Sequence, residues 1–192
     1  MRPFTAVTLG LLLLAIPAVA GDPRSEADLL VLDASASADP ARAARLYGQA
    51  LRLDPSHETA LRGLGRALLD QDRPADSLKV ARRLHAIRPD DPDVLLHMAT
   101  ATIRLPEPRR ADILEGLAWA ETAAHHQPDA PQAWYMLSIL RFRNGEYGPA
   151  ADAARRAVDL DALRPVAPDL TARYQQQEIA CNDALSVFSP LD

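Results

Sequence analysis

Apolar and small residues recur along most of this chain three, four or seven positions apart, the spacing of one face of an α-helix. Leu61, Leu64, Gly65 and Leu68 form one such run, Leu95, Met98, Ala99 and Thr102 another, and Trp134, Leu137 and Ser138 a third. Between them lie second runs, Ser77, Ala81 and Leu84, then Gly116, Ala120 and Ala123, then Ala150, Ala154 and Ala157. The last stretch repeats the pattern with Leu170, Tyr174, Cys181, Leu185 and Phe188 on one face of a final helix. The 16 prolines are too many for helix interiors, so they mark boundaries between many short helices. With aromatics at only 5%, the composition excludes a large sheet.

The runs are periodic at a longer scale. Ala50-Leu51-Arg52-Leu53-Asp54-Pro55, Leu84-His85-Ala86-Ile87-Arg88-Pro89 and Ala123-Ala124-His125-His126-Gln127-Pro128 end alike, and Ala157-Val158-Asp159-Leu160-Asp161-Ala162 ends the same way with alanine for proline. Their end points are 34, 39 and 34 residues apart. In each unit small residues (Gly65, Ala99, Ser138; Ala81, Ala120, Ala154) let helix backbones approach, and larger ones (Leu61, Leu95, Trp134) fill the space between units. Ser56, Asp91 and Asp129 are the expected caps at the starts of the first helices. Ala43, Tyr47, Ala50 and Pro55 extend the pattern to an earlier unit, whose first helix is less regular, with Ala27, Leu30, Val31 and Ala34. The pattern resembles the tetratricopeptide repeat, a helix–turn–helix of 34 residues. The resemblance implies an all-α superhelix of about four units (24–57, 58–91, 92–130 and 131–164), followed by a capping helix and tail over 165–192. Five extra residues around Leu105 to Arg110 enlarge the third unit.

Residues 1–20 read as an export signal rather than part of the fold. Arg2 gives a positive start, Phe4 to Ile16 is apolar with four consecutive leucines from Leu11 to Leu14, Pro17 breaks the helix, and Ala18-Val19-Ala20 supplies small residues for cleavage before Gly21. This predicts a periplasmic or secreted protein. The alternative is an uncleaved anchor, because Phe4 to Ala20 is just long enough to cross a bilayer. No cysteine near the cleavage point allows a lipid attachment.

The formal charge is −5, and losing residues 1–20 removes Arg2 alone and leaves −6. An acidic chain lacks the basic footprint of a non-specific nucleic-acid binder. The single cysteine, Cys181, excludes an internal disulfide and a cysteine zinc cluster; it is either a small buried hydrophobe on the last helix or the site of an intermolecular disulfide. The five histidines include no pair at i and i+4, the 8 glycines are scattered, and most carboxylates fall at helix ends where capping explains them. No catalytic or metal site and no cofactor are expected.

In the family that the sequence resembles, the first helices of successive repeats line a concave groove that takes a peptide or helix. That resemblance assigns Arg62, Arg66 and Asp70, then His97, Thr100 and Arg104, then Tyr135, Ile139, Phe142 and Arg143 to the inner face. Arginine forks suit carboxylates and aromatic rings supply contact area, so the expected partner is a protein segment of acidic character. The alternative is that these arginines are solvated or paired with carboxylates such as Asp70. The asparagines of the lysine–asparagine clamp that some relatives use are missing. The implied role is a non-catalytic scaffold or adaptor of the bacterial cell envelope; an accessory subunit of an envelope enzyme or biogenesis complex is the alternative. Self-association through the groove or tail is open, and membrane contact is expected only if the signal is retained.

Overall fold

The computed structural model describes residues 22–165 and 167–188, so the segment expected to be an export signal and the last four residues lie outside the described residues. Among the described residues there are nine α-helices and no strand: α1 (Pro23–Ser35), α2 (Pro40–Leu53), α3 (Glu58–Asp70), α4 (Pro74–Ile87), α5 (Pro92–Ile103), α6 (Arg110–His126), α7 (Pro131–Asn144), α8 (Tyr147–Leu163) and α9 (Pro168–Phe188). Proline sits in the first turn of α1, α2, α4, α5 and α7, where its missing N–H costs nothing and its fixed φ suits the helix. The prolines therefore start helices as much as they stop them.

The caps differ in part from expectation. Asp91 caps α5, accepting from the N–H groups of Asp93 and Val94. Ser56 does not cap α3, because its own N–H and hydroxyl are bound to Asp54. His57 caps it instead, its Nδ1 accepting from Ala60 N–H while Nε2–H donates to Asp28 on α1 at 2.9 Å. Asp129 leaves the cap of α7 to Ala130, which offers no side-chain hydrogen bond. The turn from α7 to α8 is closed by Gly145 in the left-handed region at φ 85°, which glycine adopts without a Cβ clash.

The odd-numbered and even-numbered helices pair as four antiparallel hairpins. Each odd helix also approaches the next odd one, α1 to α3 and so on to α7 and α9, whereas the backbones of α2, α4, α6 and α8 stand farther apart. The stack therefore curves with the odd helices inside. The expected small residues sit in its core: Gly65 and Ser138 are buried, as are Ala99, Ala81, Ala120 and Ala154. Leu61 and Leu95 are buried between units, while Trp134 is only half-buried, its indole N–H donating to the Pro128 carbonyl. The core is mostly alanine and leucine, so close backbone approach more than side-chain bulk fills it.

The extra residues of the third unit fall in the α5–α6 connection and in a longer α6. Leu105 folds back onto the core, and Arg109 ties the loop to α6 by donating from its backbone and guanidinium to Asp112. Those Arg109 hydrogen bonds hold the Asp112 carboxyl down at about 2.

Helix α9 takes the place that a fifth first helix would have. Tyr174 and Cys181 are buried beneath it and Leu185 packs beside Cys181, but Phe188 is mostly exposed, its ring stacked on that of Tyr147 at 5.0 Å. Burial raises the Cys181 thiol above its ordinary range. The thiol is thus inside the fold and out of reach of an intermolecular disulfide.

Candidate peptide-binding groove

The inner face opens into a groove around α3. Between α3 and α5 lies a cavity of about 410 Å³, whose walls include Leu61, Arg62, Arg66, Asp93, Val94 and His97, with Tyr47 of α2 at its end. On the other side of α3 a second cavity of about 410 Å³ runs to α1 and α2, past Ser35, Ala43, Ala67 and Asp70. Tyr47, Gly63 and Arg66 line both, so Arg66 stands where the two halves meet.

Two glycines shape the floor. A Cβ on Gly63 would lie 2.2 Å from Tyr47 Cζ, so the phenol ring of Tyr47 occupies the space of the absent side chain. A Cβ on Gly65 would lie 2.8 Å from His97 Nε2. His97 fills that second notch and joins a chain of hydrogen bonds. Ser77 Oγ donates to the Gly65 carbonyl at 2.8 Å, so its lone pair must accept from His97 Nε2–H, also at 2.8 Å. Burial, and secondarily the charge on Arg62, push the His97 pKa below its ordinary value, which keeps the ring neutral at neutral pH.

The basic residues divide. Arg62 donates to Asp91 Oδ2 at 2.9 Å, an ion pair that ties α3 to the residue capping α5. Arg66 is exposed and makes neither an ion pair nor a hydrogen bond among the described residues. Burial raises the Asp91 carboxyl, but Arg62 and the N–H groups of Asp93 and Val94 outweigh it and hold its pKa below the ordinary 3.8. The native state thus binds fewer protons at Asp91 than the unfolded chain. The stabilisation is present above that ordinary value and lost as the pH falls through the depressed one. Asp91→Ala removes both the cap and the Arg62 pair and is expected to cost about 1–2 kcal/mol in urea denaturation.

Of the residues assigned to the inner face from sequence, Arg62, Arg66 and His97 come together in one cavity, with Asp70 in its neighbour. The others lie elsewhere. Arg104 caps α5 and pairs with Asp72 at 3.2 Å, at a separate cleft with Arg73 and Pro106. Thr100 donates to the Leu96 carbonyl and touches the Met136 sulfur, inside the α5–α7 contact. Tyr135 packs on Tyr174 of α9, ring centres 4.9 Å apart, and Phe142 packs edge-on to Tyr147. Ile139 is half-buried on α7, and Arg143 is exposed without a partner among the described residues. The arginine pairings run to Asp91 and Asp72, not to Asp70. Sequence reasoning did not place Tyr47 or Asp93 in the groove; the one hint was a second glycine, Gly63, inside a helix that Gly65 already explained.

Among the described residues no group of histidine, cysteine and carboxylate side chains could hold a metal ion, and no helix is long and apolar enough to cross a membrane.

A curved stack of helical hairpins with an open inner groove defines a repeat scaffold that works by binding other polypeptides. The sequence pattern of the tetratricopeptide repeat matches residues 29–92 and 112–165, and the chain belongs to that family, whose members are generally non-catalytic modules that bind proteins or peptides. No curated protein sequence matches it. Among solved structures, MamA from Desulfovibrio magneticus RS-1 superposes with a TM-score of 0.65 at 15% identity, covering 88% of this chain and 98% of that one. A thermophilic repeat protein of Thermus thermophilus, TTC0263, gives 0.63 at 17% identity over 85% and 87% of the two chains. The Sgt2 repeat domain from Aspergillus fumigatus gives 0.55 at 18% identity over 70% and 86%. At these identities the likeness is one of fold.

Proposed function

We propose that the protein is a non-catalytic adaptor of the bacterial cell envelope, periplasmic or secreted, that holds a carboxylate-bearing segment of another protein in the groove around α3. The observation that carries this reading is Arg66, a guanidinium with no partner among the described residues, at the junction of a mainly apolar cavity between α3 and α5 and a more polar one toward α1 and α2. An incoming carboxylate would supply the bidentate partner it lacks. The aromatic face of Tyr47 and the side chains of Leu61 and Val94 would cover the apolar part of the same segment. Arg62, already neutralised by Asp91, contributes shape more than charge.

The placement in the envelope rests on residues 1–20, and N-terminal sequencing of the exported protein checks it: a mature chain beginning at Gly21 is expected. The groove is tested by affinity capture from envelope extracts with three baits, the native protein, Arg66→Glu and Arg143→Glu. Arg143 is another exposed arginine, on α7 and in neither cavity, also unpaired among the described residues. Arg66→Glu is expected to weaken the captured partner at least about tenfold, the effect of about 1.4 kcal/mol, while Arg143→Glu leaves it unchanged. Equal capture by all three baits rejects the groove.

A further inference from the structure

The outer face of the stack holds a second cleft that the inner groove does not explain. Helices α2 and α4 stand apart there, and the floor between them is made by Leu64 and Leu68 of α3 with Val80 of α4. The space is about 550 Å³, within the range of about 300–1,000 Å³ typical of binding clefts. Its rim carries Arg45, Arg73, Lys79 and Arg83 against a single carboxylate, Asp76, which Arg73 and Lys79 already share. Arg83 reaches only the Pro55 carbonyl, and Arg45 has no partner among the described residues. The next gap along, between α4 and α6, is closed: Arg82 pairs with Glu115 at 2.6 Å and lies over the Trp119 ring. The α2–α4 cleft is therefore open, apolar at its base and cationic at its edges, on a chain whose net charge is −5.

The matching surface is on the same molecule. Helix α1 buries Ala27, Val31 and Ala34 and leaves Leu29 and Leu32, one turn apart, each 65% exposed. At about 100° per residue, Glu26, Leu29, Leu32 and Asp33 fall within one arc of about 120°. Glu26 and Asp33 make no ion pair among the described residues. Two adjacent exposed leucines edged by unpaired carboxylates form the complement of an apolar floor edged by arginine and lysine. Helix α1 cannot reach the cleft of its own chain, because its other face is packed on α2 and α3.

We propose that α1 of one copy seats in the α2–α4 cleft of another, Leu29 and Leu32 on Leu64, Leu68 and Val80, and Glu26 and Asp33 against Arg45, Lys79 and Arg83. Because the two surfaces differ, the contact is head-to-tail: each copy offers one α1 and one cleft, and the assembly grows by addition at both ends or closes into a ring. The inner groove stays open in every copy, so one assembly presents many grooves to a partner.

The test is sedimentation of the purified protein against concentration. The mass of the native chain is expected to rise with concentration and fall with added salt, which screens exposed pairs. Two variants alter only exposed positions, so each should keep the native circular dichroism: Leu29→Arg with Leu32→Arg, which spoils the helix, and Arg45→Glu with Arg83→Glu, which spoils the cleft. Each alone is expected to be monomeric. Mixed, they retain one good helix and one good cleft between them and are expected to form a 1:1 dimer that grows no further. A mixture that stays monomeric overturns the proposal, and so does association that survives in either variant alone. A native chain monomeric at every attainable concentration also overturns it, and leaves the cleft to an acidic helix of a different protein.

Discussion

Tyr174→Ala is expected to lower stability by about 3–5 kcal/mol, the cost of deleting a large buried ring, while Tyr174→Phe is expected to be neutral or slightly stabilising. The difference follows from what the residue does. Its side chain is the largest fully buried one among the described residues, 1% exposed, and its ring packs against Tyr135 at 4.9 Å with the planes 53° apart. It fixes α9 to α7, and α9 is the element that covers the last hairpin. Its hydroxyl, by contrast, is buried without a hydrogen-bond partner, so removing that oxygen removes an unsatisfied polar group and leaves the packing intact. Burial, then the nearby charge of Asp161, pushes the Tyr174 phenol up to about 12. The folded state therefore holds its proton more tightly than the unfolded chain, whose tyrosines titrate near the ordinary 10. That extra stability is fully present below pH 10 and is lost as the pH rises through 12, an alkaline loss of up to about 2–3 kcal/mol. Tyr174→Phe should flatten most of this loss. Tyr135, raised for the same reason of burial, keeps a smaller share. Urea denaturation at about pH 8 and again across about pH 10–12 checks both halves. A phenylalanine variant as unstable as the alanine one would show that the hydroxyl, not the ring, does the holding.

The repeat period was legible because it is written in side-chain size. Gly65, Ala99 and Ser138 recur at matching heights and all three are buried. Local chemistry was less legible where several residues compete for one role. Ser56 precedes α3 as a cap should, but Asp54 engages it first, and His57 is free to reach Ala60 N–H. The groove was readable as a register and unreadable as a set of pairings. Nothing local says that Arg62 meets Asp91, 29 residues on, and that Arg66 meets no partner among the described residues. The aromatic part of the expected inner face failed to join the groove for a similar reason. Tyr135 and Phe142 do sit on a first helix, but α9 brings Tyr174 against the one and carries Phe188 against Tyr147, the neighbour of the other. A capping helix uses the surface that the repeat phase alone would leave free, and repeat phase cannot see it. The outer cleft is hidden in the sequence because Arg45, Lys79 and Arg83 belong to two helices whose separation only the curvature of the stack sets.

Gly63→Ala and Gly48→Ala are expected to move stability in opposite directions although both replace a glycine within a helix. At Gly48, on α2, an added Cβ meets nothing within 4 Å, so alanine should stabilise by about 0.5–1 kcal/mol through helix propensity and a less free unfolded chain. At Gly63, on α3, the same gain is opposed by contact with three atoms of the Tyr47 ring at 2.2, 2.6 and 2.6 Å. That ring is 8% exposed and belongs to the main hydrophobic core, so it cannot turn aside without leaving the core for the groove. Overpacking of this kind costs about 1–3 kcal/mol, which outweighs the propensity gain and also raises the floor beneath Arg66. Gly63→Ala should thus destabilise the fold and weaken partner capture together. The cause can be isolated on a Tyr47→Ala background, where the ring is gone. There Gly63→Ala is expected to stabilise as Gly48→Ala does, so that the two substitutions couple strongly in a double-mutant cycle. If the penalty at Gly63 persists without Tyr47, the glycine is required by the α3 backbone itself and the ring is not what it accommodates.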